Sequence, residues 1–122
     1  AKRYDEGLSR IPGVRLWKIP EWNRCSYHLY PCFIDSKKIK VNMFDLIHLL
    51  EGEKGVQIIQ RYFPVHLTHY MRYYGHKPGE CPVCEHVWFN EQLNLPVCPR
   101  MLFDEVDYAV QSIADVLKRL RK

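Results

Sequence analysis

The sequence lacks any apolar run approaching the roughly 20 residues that span a bilayer, and its opening AKRYDEGLSR has no apolar stretch of the secretory kind. Both absences lead to the expectation of a cytoplasmic protein with no membrane partner. A glycine-rich phosphate loop is also missing, because the 6 glycines are scattered and none falls into a Gly-x-Gly-x-x-Gly or Walker pattern. A self-contained nucleotide or cofactor site is therefore not expected. There is no internal repeat and no low-complexity segment, which excludes solenoids and flexible linkers. An even cysteine count is absent too: Cys25, Cys32, Cys81, Cys84 and Cys98 leave one sulfur over in any full disulfide scheme. Reduced thiols are the simpler reading, and they agree with a cytosolic setting.

What is present fits one domain. A chain of 122 residues, 47% hydrophobic and 26% charged, is long enough to bury a core and too apolar for disorder. The formal charge of +4 raises the question of nucleic acid. However, Lys118, Arg119, Arg121 and Lys122 supply four positive charges at the end of a helical segment, where they complement the helix dipole. No aromatic residues are interleaved with them as strand-binding surfaces require, so no nucleic-acid partner is expected.

Along the chain, Ala1–Ser9 resembles the end of a helix, and IPGVRLWKIPEW, broken by Pro12, Gly13 and Pro20, reads as an extended connection. Cys25–Asp35 is rich in β-favouring residues and predicts a strand, with Pro31 implying an edge position or a bulge. Asn42 is placed to cap a helix whose apolar face is Met43, Leu46, Ile47, Leu49 and Leu50, with Asp45 in its first turn. Gly52 or Gly55 ends it. Val56–Phe63 predicts a second strand stopped by Pro64, Pro82 opens a helix reaching about Gln92, and Leu93–Val97 predicts a short third strand. From Phe103, the residues Val106, Ala109, Val110, Ile113, Val116, Leu117 and Leu120 recur at steps of three and four, as in an amphipathic helix. Alternating strands and helices imply a small sheet with helices on one face.

Several residues invite a chemical reading. Cys81 and Cys84 form a CxxC pair, and with Cys98 they suggest a small zinc-binding or redox module, His76 and His86 being close enough in sequence to join a zinc site. Zinc wants four tetrahedral ligands, and no cysteine or histidine follows Cys98 to complete the set. A thioredoxin-like redox site needs the first cysteine at a helix N-terminus after a sheet strand, whereas Lys-Pro-Gly-Glu precedes Cys81. Among the histidines, His28, His48, His69, His76 and His86 read as packing or surface residues, because no partner is fixed by spacing. His66, just after Pro64 at a strand end, has the better claim, since sites are built on loops at strand ends. The tyrosines of YMRYY are open to two readings, ring stacking on a ligand or an aromatic cluster.

Five ordered motifs, SYHLYP at 26–31, RYFPVHL at 61–67, YYGHKPGECPVCE at 73–85, LNLPVCP at 93–99 and FDEVDYAV at 103–110, carry a resemblance over nearly the whole chain. Together they resemble the C-terminal part of the DegT/DnrJ/EryC1/StrS family of pyridoxal-phosphate sugar aminotransferases. The resemblance implies an α/β domain of α+β type, with a mostly antiparallel or mixed three-stranded sheet, helices on one face and the order β-α-β-α-β-α, as in the small domain of fold-type I aminotransferases. Residues 1–24 would connect to an absent N-terminal domain, and residues 25–122 would form the C-terminal small domain. The parent enzyme would transfer an amino group to a nucleotide-linked keto-sugar, with pyridoxal phosphate carried on a lysine as electron sink, and would be a homodimer. That lysine is expected outside this chain, so the chain alone is expected to bind no cofactor and to be inactive. A stand-alone interaction domain is the alternative. Arg61 replaces the histidine that often precedes Tyr62, a pair that in related enzymes lies near the nucleotide-sugar; with His66, these are the expected substrate-binding residues. An arginine there suits bidentate pairing with phosphate. Cys84 stands where the family commonly has alanine, and Leu102 where it has a capping Thr or Ser, so Asp104 is expected to cap a late-starting helix.

Overall fold

The computed structural model describes residues 1–120; of the cationic tail, Arg121 and Lys122 lie outside the described residues. In chain order the elements are α1 (Lys2–Leu8), β1 (Val14–Leu16), β2 (Tyr30–Ile34), α2 (Met43–Gly52), a 3-10 turn (Val65–Leu67), α3 (His69–Tyr73), α4 (Pro82–Asn90), β3 (Gln92–Leu95) and α5 (Phe103–Leu120). The three strands form one antiparallel sheet in the order β1-β2-β3. The α/β class and the three-stranded antiparallel sheet are as expected from the sequence.

Alternation along β2 decides which face is the core. Tyr30, Cys32 and Ile34 are buried, and β3 adds Leu93 and Leu95 opposite Cys32 and Tyr30. Onto this face pack Tyr4 and Leu8 of α1, Met43, Leu46 and Leu50 of α2, and Val106, Ala109, Ile113, Val116 and Leu117 of α5. The apolar stripe read from α5 is therefore the stripe that is buried, except that Phe103 at its start is exposed and lies under the Arg3 guanidinium, 5.1 Å from the ring centre. A close approach of α1 to α5 depends on Gly7, where a Cβ would stand 2.8 Å from Val110 Cγ1. The expected α2 cap is present: Asn42 Oδ1 accepts the Phe44 N–H at 2.9 Å. Gly55, at φ +65°, supplies the left-handed turn after the helix.

The strands are not the expected set. Val56–Phe63 runs extended beside β3 but is not a strand, and the third strand is instead β1, at the opposite edge beside β2, so the order β-α-β-α-β-α does not describe the chain. The cause is Asn94. Segment and strand share one backbone bond, Ile59 N–H to Asn94 O at 2.9 Å, after which the Asn94 side chain donates to Ile59 O (2.8 Å) and Arg61 O (2.7 Å) in place of a ladder. Residues 1–24, expected as a connection, contribute α1 and β1, and Tyr4 is buried with its hydroxyl donating to Pro96 O at 3.0 Å. Pro31 sits in the central strand instead of an edge. It is tolerated because β1 ends at Leu16, opposite Cys32, so Pro31 has a strand on one side only. α5 does not start late: it opens at Phe103, and Glu105, not Asp104, accepts the Leu102 N–H at 2.8 Å. At its other end Arg119 pairs with Glu53 beside the α2 C-terminus, so that charge is used within the fold.

Candidate functional site

Residues 56–64 leave the sheet edge as an extended strap, and its fixings determine what is presented. Val56 N–H reaches Leu50 O at 2.8 Å, Ile58 N–H reaches Glu51 Oε1 at 3.0 Å, and Arg61 O is held by both Asn94 and, at 3.2 Å, Gln92. Anchoring the backbone leaves the side chains of Arg61 and Tyr62 exposed, and the peptide bond between them is cis. Tyr62 Oη and His28 Nε2 are 3.1 Å apart, which ties the strap to the loop entering β2. A groove of about 450 Å³ lies between them, lined by His28, Leu29, Gln57, Ile58, Ile59, Gln60 and Arg61. Among the described residues no carboxylate forms a salt bridge with Arg61. The groove thus offers a guanidinium and an imidazole, the latter bonded to the Tyr62 phenol beside it, groups suited to a ligand rich in oxygen.

His66 is placed differently. It is 8% exposed, in the 3-10 turn, and its Nε2 lies 2.8 Å from Glu85 Oε1 on α4. The same carboxylate oxygen accepts from Gly79 N–H (2.8 Å) and Cys81 N–H (3.4 Å). The hydrogen bond with His66 is the largest influence holding the Glu85 carboxyl below its ordinary value, burial opposes it, and the two amides reinforce it. Close by, Glu80 is lowered chiefly by its bond to His76 Nδ1 at 2.8 Å. Glu85 is therefore the centre of a clamp that fixes the 75–81 loop and His66 to the start of α4. The structure brings Arg61 and Tyr62 together with His28, and it assigns His66 to this clamp behind them.

Other buried polar groups face elsewhere. Glu91, 7% exposed, is raised by burial and more than offset by the Ser36 hydroxyl at 2.7 Å, by Arg15 and by His86, so that the net direction is downward. Tyr70, Tyr73 and Tyr74 contact one another, with ring centres 5.0 Å and 5.4 Å apart, yet all three are exposed. Cys81 and Cys84 open α4, whereas Cys98 lines a separate groove beside α5. Among the described residues no three His, Cys, Asp or Glu side chains gather to hold a metal. His28, Asn94 and Glu85 were not singled out from the sequence as site residues. SYHLYP contained the first, but its partner lies 34 residues away.

This architecture recurs as a part of solved aminotransferase structures. The aminotransferase TlmJ from Streptoalloteichus hindustanus superposes with a TM-score of 0.81 at 28% identity, over 99% of this chain and 31% of that one. Spr1654 from Streptococcus pneumoniae, in its PLP form, shares the fold at a TM-score of 0.82 and 19% identity, over 99% and 30%. The spore coat polysaccharide biosynthesis protein SpsC from Bacillus subtilis is 29% identical over 119 residues, 97% of this chain and 30% of SpsC. The model of the DegT/DnrJ/EryC1/StrS aminotransferase family matches residues 1–114, and the chain belongs to that family. It spans about 30% of the length of the relatives it matches.

Proposed function

We propose that this chain is the C-terminal domain of a cytoplasmic enzyme that moves an amino group onto a nucleotide-linked keto-sugar. The family match over residues 1–114, at about 30% of the relatives' length, carries this reading. Pyridoxal phosphate supplies the electron sink of the reaction when bound, and the lysine that holds it belongs to an N-terminal domain. Among the described residues no lysine lines the groove that holds Arg61. In this reading the chain's own task is binding. Arg61 pairs with a phosphate oxygen of the nucleotide, Tyr62 and His28 donate to or accept from sugar hydroxyls, and His66 shapes the pocket by holding the loop behind it. Segment 1–24 is the region that meets the N-terminal domain. Exposed Trp17, Trp22, Tyr70 and Tyr73 suit coverage by that domain or by the second subunit of a homodimer.

In the full-length enzyme, Arg61→Ala is expected to raise KM for the nucleotide-sugar about tenfold or more, the worth of a lost charge-assisted pair, with KM for the amino donor unchanged. Equal loss for both substrates would remove Arg61 from the site. The 122-residue chain alone is expected to show no lysine-bound cofactor absorbance and no transamination. Either activity in the isolated chain, or a natural reading frame encoding no lysine-bearing domain, would overturn the proposal.

A further inference from the structure

Two nucleophilic side chains stand outside the proposed sugar groove and outside the core. Cys81 is the N-cap of α4, Pro82 is its first residue, and Cys84 is the third. N-cap and third position face each other across a helix's first turn, so that in a capping box the side chain of each reaches the backbone N–H of the other. Here both positions hold sulfur. The Cys81 side chain makes no capping bond, and its backbone N–H is already taken by Glu85. Both thiols are exposed. The other cysteines differ in kind: Cys32 is fully buried, with its thiol pushed up to about 12 by burial; Cys25 Sγ accepts the Tyr27 N–H at 3.4 Å; Cys98 has no neighbour in sequence. Glu80 and Glu85, the carboxylates that flank the pair, are each occupied by a histidine and by backbone amides.

We propose that Cys81 and Cys84 are a redox-active dithiol that closes to a disulfide within the first turn of α4 by exchange with a low-molecular-weight disulfide such as oxidised glutathione. In the first step one cysteine thiolate attacks a sulfur of the small disulfide, forming a mixed disulfide and expelling one small thiolate. In the second, the other cysteine attacks the protein sulfur of that mixed disulfide, forms the Cys81–Cys84 bond and expels the second small thiolate. The cysteine pair gives up two electrons and two protons, and the small disulfide leaves as two thiols. The bond braces the turn that carries Glu85, and through it the clamp on His66 and Gly79.

The test is equilibration of the protein with a series of oxidised-to-reduced glutathione ratios, followed by acid quench, alkylation and cleavage after glutamate. Glu80 and Glu85 release residues 81–85 as one peptide with both cysteines, separate from Cys98. That peptide is expected to refuse alkylation, to lose the mass of two hydrogens and to recover with dithiothreitol. Half-oxidation should fall at a ratio about tenfold or more below that at which Cys98 is glutathionylated, because the second thiol acts intramolecularly. Cys81→Ser and Cys84→Ser should each leave the remaining sulfur as a stable mixed disulfide. Full alkylation of 81–85 at every ratio, two stable glutathione adducts on it, or a bond from either cysteine to Cys25 or Cys98 would each overturn the assignment.

Discussion

The sheet with α1, α2 and α5 and the arm formed by residues 61–90 are built by different means. In the first, apolar side chains from three helices interlock over β2 and β3, and Leu8, Leu46, Leu50, Ile113 and Leu117 have no exposure at all. In the arm only Pro64 and His66 are buried, and neither α3 nor α4 buries a residue. Its order comes from polar fixings: Asn94 on the Arg61 carbonyl, Glu85 on His66 and two amides, and Glu80 on His76. Aromatic edges help, with Phe63 5.0 Å from Trp88 at a near-perpendicular angle. A hydrophobic interior holds its shape with or without neighbours, whereas a surface fixed by hydrogen bonds can keep large rings exposed for a further partner. Thus one half is scaffold and the other presents the candidate site.

The largest expected effect falls on the scaffold. Leu117→Ala removes a fully buried side chain shared by α5 and the sheet and should cost roughly 2–5 kcal/mol in denaturant unfolding. Tyr73→Ala on α3, where the ring is 80% exposed, should stay within about 0.5 kcal/mol. Comparable losses at the two positions would erase the distinction between the halves. An intermediate effect is expected where the halves join. Asn94→Ala strips the donors from the carbonyls of Ile59 and Arg61, and should cost about 2 kcal/mol. It should also speed hydrogen exchange at Tyr62 and Phe63 while α5 stays protected. Exchange that rises uniformly across α5 would show that the strap belongs to the core.

This division also accounts for what could be read from the sequence. α2, α4 and α5 were legible because their signals are local: Asn42 at a cap, Pro82 at a first turn, and apolar steps of three and four. Val56–Phe63 carries the composition of a strand but is fastened by an asparagine side chain from β3, a tertiary arrangement that composition does not encode. β1 is only three residues long and exists because β2 offers it partners. Among the candidate site residues, Arg61 and Tyr62 stand out in the sequence through the motif that contains them. His28 and Glu85 were passed over because what engages them lies 34 and 19 residues away, and no short-range pattern links such positions.

The smallest effect is a pH dependence confined to the arm. Glu85 has its folded pKa below the ordinary value of 4.5, so it stabilises the fold fully above that value, and the contribution disappears as the pH falls through the lower folded value. Glu53 and Asp107 are lowered in the same direction by Arg119 and Arg3 on the scaffold, so global acid unfolding does not single out the clamp. A local readout does. At a pH below 4.5 the amides of Gly79 and Cys81 should lose protection before those of α5, because protonating Glu85 weakens the acceptor they share with His66. Glu85→Gln should bring that loss of protection to neutral pH and flatten its pH dependence, while leaving α5 exchange unchanged. If the Gly79 and Cys81 amides keep the same pH profile in the variant as in the parent, the carboxylate is not what holds the arm, and aromatic packing at Phe63 and Trp88 must carry it.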